Sequence, residues 1–134
     1  MPFEEKGELS QDCAKFEIDL ISMVAPTSNE RIAMIAQEAE GFLYCVSFLG
    51  VTGIRSTINA GIEDVIVQAK KFTDVPCVIG FGISTPNQTR EMARIADGVI
   101  VGSAVVKIIA EHGRECIEPV KQFIQAMKGT IENS

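Results

Sequence analysis

Four apolar runs, each short enough for one strand and each broken at a glycine or proline, limit what this chain can fold into. They are IDLISMVAP, GFLYCVSF, VPCVIGFGI and DGVIVGS. Between them lie stretches of helical period. In TSNERIAMIAQEA the residues Ile32, Ile35, Ala36 and Ala39 share a face, and in IEDVIVQAKKF so do Ile62, Val65, Ile66 and Ala69. STPNQTREMARIA is the third helix and ECIEPVKQFIQAMKG the last, with a stop expected near Gly129. A leading helix is expected over PFEEKGELSQDCAKF, where Leu9, Cys13 and Phe16 recur at helical spacing. Strands that are apolar almost throughout, joined by helices, predict a parallel sheet covered by helices, an α/β fold. No linker or composition shift divides residues 1–134, so one domain is expected.

Two helix starts carry their own signals. Thr27 and Glu30 have the spacing of a capping box, and Thr85 precedes a proline suited to the first helical turn. The turns that lead into strands, EAEG and KFTDVP, are ordinary polar corners. The strand ends that lead into helices are different: VAPTS, SFLGVTG, GFGIS and VGSA, three of them rich in glycine. In parallel α/β folds, the loops at the carboxyl ends of strands carry function.

The last of these corners is the most pointed. In DGVIVGSAVV the apolar run stops at Gly102-Ser103 and resumes at once. A strand that passes through Gly-Ser into a helix leaves unpaired backbone N–H groups beside a hydroxyl, which is an arrangement for phosphate. Gly82 ends the neighbouring strand, and Gly50 and Gly53 lie on the loop before it. Each glycine alone is explained by close packing. Together, on adjacent loops, they point to one anion site.

Catalytic groups are harder to find. Met23-Val24-Ala25, Val46-Ser47-Phe48, Ile79-Gly80-Phe81 and Ile100-Val101-Gly102 end the strands without an acid, a histidine or a lysine. Asp19 and Asp97 fall at the opposite rim, and Lys107 and the lone histidine, His112, read as solvated. Cys13, Cys45, Cys77 and Cys116 lack metal-ligand spacing and read as reduced thiols. No metal and no cofactor are expected. A net charge of -6 without a basic cluster argues against nucleic acid. No apolar run is long enough for a bilayer, and the acidic N-terminus does not read as a signal peptide, so a cytoplasmic location is expected.

IDLISMVAPTSNERI, GFLYCVSFLGVTGIRS, VPCVIGFGISTP and ADGVIVGSAVVKII together resemble the second half of the tryptophan synthase alpha subunit, over almost the whole chain. GVTG, GFGIS and VGSA in that order are far more specific than a lone glycine motif. The resemblance implies a (βα)8 TIM-type barrel, here reduced to its last four βα units. It implies a lyase of tryptophan biosynthesis that cleaves indole-3-glycerol phosphate to indole and glyceraldehyde 3-phosphate, working with a pyridoxal-phosphate-dependent beta subunit. It assigns Gly53, Gly82, Gly102 and Ser103 to the phosphate, and Val24, Tyr44, Thr52, Phe81 and Ile100 to the indole. The loop from Leu49 to Gly61 would be a mobile lid. Phe48 departs from the arginine often found there. The family's two catalytic carboxylates lie upstream of this segment, so no catalytic residue is carried over and the chain alone is expected to be inactive.

Half a barrel exposes two sheet edges and one apolar face. The favoured expectation is self-association through those edges. An open, doubly wound sheet is the structural alternative, and a non-enzymatic phosphate-binding or self-assembling module the functional one.

Overall fold

The computed structural model describes residues 3–46, 55–80 and 85–132. The order of elements is α1 (Gly7–Lys15), β1 (Ser22–Val24), α2 (Asn29–Gln37), β2 (Leu43–Val46), α3 (Arg55–Ala69), β3 (Cys77–Gly80), α4 (Pro86–Ala93), β4 (Gly98–Val99), α5 (Ser103–His112) and α6 (Ile117–Glu132). All strand pairs are parallel, and the strands lie side by side in chain order, β1-β2-β3-β4.

That order decides between the two sheet architectures. A doubly wound sheet reverses its order partway so that helices cover both faces. Here it never reverses, and right-handed crossovers then put every connecting helix on the same side. Burial agrees. Leu43, Cys45, Cys77 and Ile79 are fully buried and pack with Ile32, Ile35, Ile62, Ile66 and Met92 of the helices. The alternate strand residues Tyr44, Val46 and Val78 are only half-buried, and Met23 is 51% exposed. The sheet is an arc of a barrel wall, and among the described residues no helix covers its lumen face.

Local chemistry sets the element ends. Ser28, one residue later than expected, caps α2 by accepting the Arg31 N–H at 3.3 Å. Thr85 makes a complete capping box with Gln88, and Pro86 occupies the first turn of α4. The apolar run from Ile18 yields a shorter strand than its length predicts. The Ile18 N–H goes back to the Cys13 carbonyl, and the Leu20 N–H goes to the Glu40 carboxylate, so these residues close α1 and cross the amino rim. The α1 end is a Schellman motif, with the Glu17 N–H on Ala14 and Glu17 itself at φ 55°.

Helix α6 does not stop at Gly129. It runs to Glu132, because Gly129 has ordinary helical sign of φ and the turn around it anchors Met127, buried against the Thr89 hydroxyl of α4 at 3.4 Å. A glycine in a helix costs about 1 kcal/mol relative to alanine but ends it only where a left-handed cap forms. Among the described residues, no helix is long and apolar enough to cross a membrane.

Candidate functional site at the carboxyl rim

The two rims of the sheet differ in how their polar groups are satisfied. At the amino rim, Lys6 reaches under β1 to donate to the Ser22 hydroxyl at 3.2 Å and the Glu38 carbonyl at 2.9 Å. Asp97 accepts the Cys77 N–H at 2.8 Å and pairs with Lys70 at 3.0 Å. The Cys77 N–H bond, helped by Lys70, holds the Asp97 carboxyl below the usual carboxylate range. Lys6 and Asp97 tie strand starts to the helix layer, and Asp97 lies at the rim its position in the sequence predicts.

The carboxyl rim has no such fastening at its last corner. The Ile100 N–H pairs with the Ile79 carbonyl at 2.7 Å, one residue past β4, and three residues later α5 begins. Gly102 is its N-cap and, having no side chain, supplies no capping bond. The first N–H groups of this ten-residue helix therefore receive no capping bond from the N-cap residue, beside the exposed Ser103. A Cβ added at Gly102 would meet no atom within 4 Å, and its φ of -114° does not require glycine. Among the described residues, neither packing nor backbone conformation calls for glycine at this corner. The solvent side of this corner is open among the described residues.

Tyr44, on β2, occupies the sheet face opposite the helices, two strands from this corner. A Cβ on Gly80 would collide with the Tyr44 hydroxyl and ring, so the tyrosine side chain lies across Gly80, pointing toward the carboxyl rim. Ile100 alternates with Val99 and Val101, which pack against the helix-side core, and so belongs to the same face as Tyr44. Val24 does not. It is 2% exposed, in register with Cys45, and part of the helix-packed core. The structure brings Tyr44 and Ile100 to one face and puts Val24 on the other. Its neighbour Met23 faces the lumen instead, a residue that family resemblance passed over but strand alternation could have flagged.

Thr52, Gly53, Phe81 and Gly82 lie outside the described residues, as does the first part of the expected lid, 49–54. The remainder of that lid, from Arg55 to Gly61, is helical and forms the start of α3. The four cysteines are free thiols. Cys45 and Cys77 are fully buried, and the hydrogen bond to Cys77, together with burial, pushes the Cys45 thiol well up. His112 ends α5 with Nδ1 donating to the Ile108 carbonyl at 3.0 Å, far from a catalytic placement. Among the described residues, no group of three or more His, Cys, Asp or Glu side chains could hold a metal ion.

Fold and site together define a class: one arc of a parallel βα barrel, with its candidate site at the carboxyl rim. Comparison with known proteins makes this particular. The family described as tryptophan synthase alpha chain matches residues 1–134. The alpha chain of Bacillus pumilus is 52% identical over 111 residues, which are 83% of this chain and 42% of that one. That of Shouchella clausii is 45% identical over 95% of this chain and 51% of its own. Among solved structures, the Campylobacter jejuni alpha subunit superposes with a TM-score of 0.81 at 33% identity, over 92% of this chain and 49% of that one. The Pyrococcus furiosus α2β2 complex of tryptophan synthase gives 0.78 at 34%, over 96% and 52%. This chain belongs to the tryptophan synthase alpha chain family. It spans about half the length of the relatives it matches.

Proposed function

We propose that this chain carries the phosphate- and indole-binding side of a tryptophan synthase alpha-type lyase, acting on indole-3-glycerol phosphate, without the carboxylates that move protons. The observation that carries the reading is the uncapped start of α5 at Gly102-Ser103, directly after the last strand. Backbone N–H groups there suit a dianion, reinforced by the partial positive charge of the helix end. In this reading Gly53 and Gly82 complete the grip on the phosphate. Tyr44 and Ile100 offer a mainly apolar surface with one hydroxyl, which suits a flat aromatic, and Thr52 and Phe81 belong to the same pocket.

On its own the chain releases no indole from indole-3-glycerol phosphate, because none of its strand ends supplies an acid or base worth about 10²–10⁴-fold each. Activity returns when the other half of the barrel is supplied, and only then does the beta subunit become its partner. In isolation, the open β1 and β4 edges drive self-association.

Titration with glycerol 3-phosphate, followed by backbone amide NMR, tests the reading. Saturable shifts at Gly102 and Ser103 are expected, weak in affinity because the pocket stands open to water. Gly102→Val blocks the approach of the ligand. Ser103→Ala weakens it by one charged hydrogen bond, roughly 1.5–3 kcal/mol or about 10- to 150-fold. A flat titration up to tens of millimolar would leave Gly-Ser as a packing corner and overturn the proposal.

A further inference from the structure

We infer that two copies of this chain close on each other, β4 of each beside β1 of the other, as a ring of eight parallel strands. The inference rests on the self-association proposed above and deepens it, fixing the number of copies and the seam between them. Among the described residues, β1 and β4 each pair along one side only, and the four strands keep chain order without reversal. Eight is the number at which a parallel barrel closes around an interior just filled by side chains. Two such arcs supply it. The seam joins unlike edges, so it is made twice about one twofold axis and leaves no edge over.

The exposed area is large enough for this. The chain exposes 8690 Å², whereas a compact monomer of 14.5 kDa exposes about 6,900 Å². The surplus of about 1,800 Å² per chain is more than twice the roughly 800 Å² that each partner gives up in an interface of standard size. Part of it is the sheet face opposite the helices, where Met23 is exposed and Tyr44 and Val78 are half-buried. More lies at the two ends of the arc. Among the described residues, the two most exposed large hydrophobics are Phe16, 67% exposed, and Ile117, 76% exposed. Phe16 caps the carboxyl end of α1, whose N-cap Lys6 donates to the Ser22 hydroxyl of β1. Ile117 opens α6, in the helix pair that follows β4. In the ring, the α1 end of one copy meets the α6 end of the other, and a single contact made twice covers both. A net charge of -6 on each chain opposes the pairing, so the apolar seams act against a repulsion that salt screens. All eight strands run the same way, which sets both Gly102-Ser103 corners on one rim.

Sedimentation velocity of the full chain, with glycerol 3-phosphate titrated in parallel, tests the ring. The expected result is a dimer without larger species, which tightens as salt rises and binds two glycerol 3-phosphates. Phe16→Glu and Ile117→Lys should each weaken the dimer about 30-fold while keeping the circular dichroism of the parent. Mixed one to one, the two variants should pair again, because each brings one unaltered end to a shared seam. A monomer at every concentration overturns the ring and the self-association beneath it. A continuing series of larger species overturns closure alone. Variants that pair as tightly as the wild type, or a mixture that does not recover, overturn the seam, and so does a dimer that salt dissociates. A dimer that behaves as expected but binds no glycerol 3-phosphate leaves the ring standing and overturns the lyase reading instead.

Discussion

Replacing Gly80 with alanine tests how the tyrosine is held. The added methyl would occupy space now taken by the Tyr44 hydroxyl and ring. Two responses are open to the protein. If the ring stayed, the overlap would cost roughly 1–3 kcal/mol, the range for an overpacked site. Tyr44 lies on the uncovered face and is only half-buried, so the ring can instead swing outward. The cost then falls to that of a poorer rotamer, roughly 0.5–1.5 kcal/mol, plus the packing of the ring over Gly80. A destabilisation of about 1 kcal/mol follows, a fall of about 4 °C in melting temperature for a chain of this size. Tyr44 is the one tyrosine and there is no tryptophan, so intrinsic fluorescence reports its environment without labelling. Urea unfolding of the wild type, Gly80→Ala, Tyr44→Ala and the double variant completes a cycle. The alanine at position 80 should be nearly neutral once the ring is gone, giving a coupling of about 1 kcal/mol. Additive losses, or unchanged tyrosine emission in Gly80→Ala, would show that the ring does not depend on the missing Cβ.

Two further predictions concern the amino rim and the α1 end. Asp97→Asn should destabilise the fold at neutral pH by about 1 kcal/mol, since the carboxylate bond to the Cys77 N–H is charge-assisted while the exposed pair with Lys70 adds little. Because folding depresses the Asp97 pKa, its contribution is present above the ordinary carboxylate range and lost as pH falls through the folded value. The gap between wild type and variant in urea should close below about pH 4, and a gap that persists there would contradict the assignment. Glu17→Gly should stabilise by about 1 kcal/mol, because Glu17 sits in the left-handed region at the Schellman position that glycine fills without strain. A lower denaturation midpoint for this variant would refute the argument.

Much of this architecture is legible in the sequence because apolar period and capping chemistry act locally. Thr85-Pro86 announces α4, and the positions of Cys45 and Cys77 within continuous apolar runs announce buried strands. Where reading failed, the deciding interaction lay elsewhere in the chain. Gly129 looks like a stop until Thr89, 38 residues before Met127, is seen to hold the turn around it. Ile18 looks like a strand residue until its N–H is claimed by Cys13. At the candidate site, the strand-glycine-helix corner at Gly102-Ser103 is readable from the order of residues, since the three follow one another directly. Which of Met23 and Val24 faces the lumen depends on strand phase. Family resemblance carries a position but not the direction of its side chain.

The separation of the two rims has a consequence for how such a chain can change over generations. Lys6, Asp97 and Glu40 hold the strands at one end, while Gly102, Ser103 and the tip of Tyr44 stand at the other. Three steps along β2 already span about 10 Å, far enough for substitutions at the two ends to add without coupling. The corners of the carboxyl rim can therefore be rewritten while the fastening of the sheet stays as it is. A loss of stability at one rim can likewise be repaired without disturbing what the other rim recognises. An arc organised in this way can change its carboxyl rim through single substitutions, none of which has to pass through an unfolded ancestor.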